Sequence, residues 1–261
     1  MIVILLRSYF VRVLAIGDSH TQYFALNNQV VVAHAPTRGV SCIAKAVSAA
    51  SVTGVGKQSS TLNIAADVPK WIESFRPDFL VFNLGQVDIE LGLPFRKYVK
   101  QDGIPAKEHM HRFIDSYLAF LRGLDFPASQ IVIKGINLPV LCFDRPKAIR
   151  YINRIVTERF TDSQEDKTRQ EEILTRLKDD YPTDIVRTDL AFLFNEMLEA
   201  AAHKAGYSYF DINDELINPD NGLIKTSFIP AHFDHHLVDS VDTRVLHWKK
   251  LLPVLRRQVW A

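Results

Sequence analysis

Three histidines and an aspartate crowd five positions near the end of the chain, in Ile229-Pro-Ala-His-Phe-Asp-His-His-Leu237. Packing alone explains that density of ionisable side chains poorly. Far upstream, Ser19 stands in Gly17-Asp18-Ser19-His20-Thr21, directly after the apolar run Val13-Leu-Ala-Ile16. A serine hydroxyl becomes a nucleophile when a base takes its proton and a carboxylate orients that base. In an extended segment, residues two apart face the same way. Asp234 therefore shares a side with His236, and with His232, and less easily with His235. Asp234–His236 is the expected dyad, with His235 in reserve. The plainer reading of Asp18, Ser19 and Thr21 is that they cap a helix.

The elements that would position these residues follow from periodicity. Val13–Ile16 reads as a strand buried on both faces, as in a parallel sheet, and Gln22–Asn27 as the first turns of a helix. Ser19 then sits at the carboxyl end of a strand, where open α/β sheets hold ligands, with its backbone N–H at a helix start that favours negative charge. Further strands are expected at 29–33, 79–82, 131–133 and 207–212, and a weak helical run over 42–50. Helices are expected at 107–124, 145–160, 188–205 and 240–257, the last with Asp239 as N-cap. This alternation predicts a single-domain, three-layer α/β/α sandwich around a parallel sheet of about five strands. Residues 91–105 read as an irregular basic-aromatic insert and 161–180 as a solvated helix or arm.

Bulk properties narrow the function classes. The 261 residues are 47% hydrophobic and 23% charged, with a formal net charge of +1, so no strong field favours nucleic acid or an anionic membrane. Cys42 and Cys142 make neither a disulfide framework nor a metal-ligand spacing. The run Ile2–Leu6 is shorter than a signal core, and residues 1–10 read as an extra strand, a lead-in to the first strand or an over-extended start. A cytoplasmic protein without a membrane span is the expectation. The Gly/Ser-rich stretch 51–61 fails as a phosphate loop because Gln58, not Ser or Thr, follows Gly56-Lys57.

Gly17-Asp18-Ser19, Gly39, Gly85-Gln86-Val87-Asp88 and Asp234-x-His236 together resemble the SGNH (GDSL-type) hydrolase superfamily, as a divergent branch. The likeness runs from residue 11 to about 255. It implies a flavodoxin-like sandwich and a Ser-His-Asp site for ester hydrolysis or acyl transfer, with no cofactor or metal. Ser19 would be the nucleophile and His236 the base. The N–H groups of Ser19 and Gly39 would form the oxyanion hole, and Asp18, His20, Gly85 and Asp88 would shape the site. Two departures stand out. The family's third block usually reads Gly-x-Asn-Asp, and Val87 replaces the donor asparagine, leaving Gln86, or Asn83 in reserve, to substitute. The last block usually spaces aspartate and histidine by two residues, and Phe233 occupies that aspartate's place. The variant is similar to sequences near bacterial glycan-biosynthesis genes, which makes an O-acylated sugar the expected ester.

Other readings use the same residues. His232, Asp234, His235 and His236 are ligand types that suit zinc. Asp234-His235-His236 also matches a phosphoesterase tripeptide, but no Asp-x-Asp motif accompanies it upstream. A glycan-binding domain that has lost catalysis, or an acyltransferase acting on a glycan, would keep the same fold.

Overall fold

Val13, Leu14, Ala15 and Ile16 are fully buried because they form the middle of β1 (Val11–Gly17), an inner strand of a five-stranded parallel sheet. This computed structural model describes residues 10–56 and 62–259; the readings for residues 1–9 and for 57–61 of the Gly/Ser-rich stretch lie outside the described residues. The other strands are β2 (Val40–Ala46), β3 (Phe79–Asn83), β4 (Ile131–Lys134) and β5 (Ser208–Phe210), in the order β2-β1-β3-β4-β5. The chain leaves β1 toward one edge, returns past it to β3, and so reverses direction there. In such sheets the crevice at the reversal, outside the carboxyl ends of the strands, is where ligands bind. Gly17 ends β1 at that crevice, and no other residue fits: a Cβ there would lie 1.9 Å from the Asn83 carbonyl oxygen.

Helices cover both faces of the sheet. Helix Ala106–Arg122 packs with helix Asp184–Lys204, and the closing helix Val241–Val259 packs with the short helix Asn28–Ala33. Phe113, Tyr117 and Leu121 from one side and Trp248, Leu251 and Leu255 from the other complete the core at the spacing their sequence announces. Among the described residues no helix is long and apolar enough to cross a membrane.

Three elements depart from the sequence reading. Residues 29–33 are helical, not a strand: Asn27 caps the helix by accepting the Val30 N–H, only Val30 is buried, and Val32 is 77% exposed. The second strand instead occupies Val40–Ala46, within the expected loop and helical run; as a half-exposed edge strand of small residues it lacks a strong apolar signature. The closing helix is capped by Ser240, whose Oγ accepts the Thr243 N–H, while Asp239 pairs with Arg244.

The two supposed appendages form one unit. Asp88–Gly92 and Phe95–Lys100 are wide helical turns rather than irregular chain, and 164–180 is a helix with one buried edge. Tyr98, Leu141, Ile152, Ile173, Leu177 and Tyr181 make a second apolar cluster with helix Arg145–Val156. Burying each such side chain contributes roughly 1.5–3 kcal/mol, enough to hold a charged helix in place. Tyr98 Oη donates to the Asp180 carbonyl, and Lys97 pairs with the Asp180 carboxylate.

Candidate active site

The Gly17-to-Ser19 turn and the Ile229–Leu237 loop meet at the carboxyl edge of β1. Ser19 opens a short 3-10 helix, Ser19–Phe24, whose N-cap is Asp18. Its hydroxyl is partly exposed, and Oγ lies 2.6 Å from His236 Nε2. On the other side of that ring, His236 Nδ1 is 2.9 Å from Asp234 Oδ2. With Nδ1 carrying the proton toward the carboxylate, Nε2 presents its lone pair to the serine O–H.

Both carboxylate oxygens of Asp234 are occupied. Oδ1 accepts the His235 backbone N–H at 2.6 Å and the Tyr151 hydroxyl at 2.9 Å. Hydrogen bonding and charge from His236, with Tyr151 and the His235 N–H, hold this carboxyl well below the usual carboxylate range although its burial opposes the shift. Tyr151 also lies 2.5 Å from His235 Nδ1, so the reserve histidine is turned toward helix Arg145–Val156. Burial, reinforced by the charges of His20 and His236, pushes His235 down to about 4. His232 is 81% exposed and stands 3.5 Å from Asp234.

Tyr151 was not legible as a site residue, since a lone tyrosine in a helix gives no signal; its cue is spatial. His20 proves more deeply embedded than a site-shaping residue need be. It is 1% exposed, its ring stacks on His236 at 4.5 Å between centroids, and Asp18 Oδ1 accepts from both its backbone N–H and Nδ1. Asp88 is remote in role: its buried carboxylate accepts the Val52 N–H and the Thr53 hydroxyl, and burial pushes it up to about 7. Gly85 adopts φ 112°, and a Cβ there would press within 2.9 Å of Phe194.

Two of the expected oxyanion donors, Gly39 and Gln86, are placed elsewhere by the structure. Gly39 immediately precedes β2, and its carbonyl accepts the Val11 N–H, so it lies at the amino edge of the sheet, a strand's length from Ser19. The loop that follows β2 at the correct edge is Val47–Ser51, where Val47 N–H reaches the Gly17 carbonyl. Gln86 is committed elsewhere: its amide donates to the Asn137 carbonyl and accepts the Asn137 N–H. Asn83 Nδ2 is unpartnered but shut off from solvent.

Ring nitrogens of His20, His235 and His236 lie within 4.8 Å of one another, the only such trio of ligand types among the described residues. The ring nitrogens of His20 and His236 already face protein partners: Asp18 and the His235 carbonyl for His20, Ser19 and Asp234 for His236. A cavity of about 820 Å³ opens between Glu90, Leu141, Ile152 and Tyr181, but neither Ser19 nor His236 lines it.

No family model matches the sequence, and no curated protein matches it. The fold does match solved structures. A candidate acylhydrolase from Bacteroides fragilis aligns over 95% of this chain and 88% of its own, with a TM-score of 0.52 and 10% identity. A GDSL-like lipase from Bacteroides thetaiotaomicron aligns over 94% and 88%, with a TM-score of 0.50 and 11% identity. The chain thus shares the α/β/α fold of these two structures over nearly its whole length.

Proposed function

We propose that this protein is a serine esterase that cleaves a small ester through an acyl-Ser19 intermediate. The observation that carries the reading is the continuous chain Ser19 Oγ–His236 Nε2 and His236 Nδ1–Asp234 Oδ2, at 2.6 and 2.9 Å. In this reading His236 takes the hydroxyl proton as Oγ attacks the ester carbonyl, and then delivers it to the departing alkoxide. Water, activated by the same ring, releases the acid and restores Ser19. Asp234 fixes the tautomer and stabilises the imidazolium that forms. Burial first, and the neighbouring His20 second, keep His236 below the ordinary histidine value, against the pull of Asp234.

The oxyanion falls to backbone donors: the Ser19 N–H, at the first position of its helix, and the Val47–Ser51 loop. With Val87 in place of an amide, and Gln86 tied to Asn137, one side-chain donor is missing. Loss of such a donor costs roughly 10²–10³ in rate, so slow turnover is expected. An O-acylated sugar is the substrate we favour; a sugar hydroxyl attacking acyl-Ser19 in place of water would make the same site an acyltransferase.

The test is labelling by a serine-directed fluorophosphonate together with turnover of aryl acetates. Wild type should be labelled at Ser19 and turn over; Ser19→Ala should lose both by at least about 10³-fold while remaining folded. An unlabelled wild type would leave a binding domain that has kept the fold alone.

A further inference from the structure

With Asp18 as the carboxylate, both ring nitrogens of His20 face oxygens that can only accept. Nδ1 lies 2.9 Å from Asp18 Oδ1, and Nε2 lies 3.3 Å from the carbonyl oxygen of His235. A neutral imidazole carries one N–H and one lone pair, so whichever tautomer it takes, one nitrogen would oppose an acceptor. Only the doubly protonated ring satisfies both contacts. The ring is 1% exposed, so the charge is not screened by water, and it lies flat against His236 with centroids 4.5 Å apart.

We propose that His20 is a permanent buried imidazolium, a positioning residue whose charge against the face of His236 keeps that base neutral. The proposal rests on the reading of His236 as the base of Ser19. Asp18, on the same turn, supplies the counter-charge. Glu90, from the segment after β3, adds a second negative field, and the His235 carbonyl from the facing loop takes the other N–H. Together they raise His20 above the usual histidine value although burial, the largest single influence, opposes them. Glu90 itself is pushed up to about 7 by burial, so at lower pH Asp18 alone remains as counter-charge. The charge of His20 bears on every histidine around it: His235 and His236 from the facing loop and His247 from the closing helix are all lowered, by burial first and by neighbouring positive charge after it.

Two imidazolium rings stacked this closely repel, so protonating His236 while His20 is charged is disfavoured. The arrangement resolves an apparent conflict. Asp234 alone would make His236 a stronger base that is idle in mild acid. The stacked cation offsets that, so the base is free to accept the Ser19 proton at lower pH.

The experiment is nitrogen-15 NMR of histidine-labelled protein, read beside the pH profile of kcat/KM for an aryl acetate. In wild type at pH 8, one histidine should show both ring nitrogens protonated, and its signal should vanish in His20→Asn. In His20→Asn the titration midpoint of His236, and with it the acidic limb of kcat/KM, should move up by about one pH unit. A neutral His20 ring at pH 8 would overturn the proposal, and so would an unchanged His236 midpoint in folded His20→Asn. If His20→Asn does not fold, the wild-type nitrogen signals decide alone. Absent turnover in wild type would sink the esterase reading, whereas the NMR midpoints test the charge on His20 whatever the turnover.

Discussion

At the scale of single residues, the site depends on one carboxylate that serves three donors. Tyr151 fills Asp234 Oδ1 and leaves Oδ2 for His236, so the tyrosine orients the acid without touching Ser19. Removing its hydroxyl forfeits a hydrogen bond to a charged group, a loss of roughly 1.5–3 kcal/mol. Tyr151→Phe is therefore expected to lower kcat for an aryl acetate about tenfold with KM little changed, as steady-state kinetics would read. An unchanged kcat would mean that Asp234 is held by the His235 N–H alone. Ser19, Asp234 and His236 were legible from residue type and a two-residue spacing. The chain placement of Tyr151 carries no comparable pattern, because its partner is 83 positions away.

At the scale of elements, legibility followed burial. Val13–Ile16 of β1, Phe79–Phe82 of β3 and Ile131–Ile133 of β4 are runs of buried aliphatic and aromatic residues, and their sequence reads as strand. β2 lies at the sheet edge, where half-exposed Ser41, Ala44 and Lys45 blur the pattern. Gln29–Ala33 carries three valines, the strand signature, yet Asn27 caps it as a helix, and a capped turn outweighs β-branched preference over so short a segment. That one exchange displaced the oxyanion expectation. A strand assigned at 29–33 puts Gly39 after it, at the working edge; the strand at Val40–Ala46 puts Gly39 before it, at the opposite edge. The supposed insert and charged arm were read separately because their shared cluster joins residues such as Tyr98 and Leu177, far apart in sequence.

At the scale of the whole molecule, the buried carboxyl of Glu90 sets a stability cost that depends on pH. Burial raises it from its ordinary value to about 7, so the folded state binds its proton more tightly than the unfolded chain does. Its contribution is fully favourable below about pH 4.5 and is lost as pH rises through 7. Glu90→Gln removes that penalty and should raise the melting temperature relative to wild type more at pH 8 than at pH 5, by the equivalent of up to about 3 kcal/mol. Equal shifts at both pH values would show that the carboxyl is not strained by ionisation. The second apolar cluster has a different consequence. Phe233 packs against it and Tyr151 rises from its helix, so the middle of the loop, at Asp234, is moored to the smaller of two cores, while its ends at Ile229 and Leu237 belong to the larger. A small core opens at a lower free energy than the sheet beside it. Heating should therefore disarm the protein before it melts: esterase activity should fall reversibly some degrees below the midpoint seen by far-ultraviolet circular dichroism. The sheet and Ser19 would stay in place, as a loaded spring with its catch released.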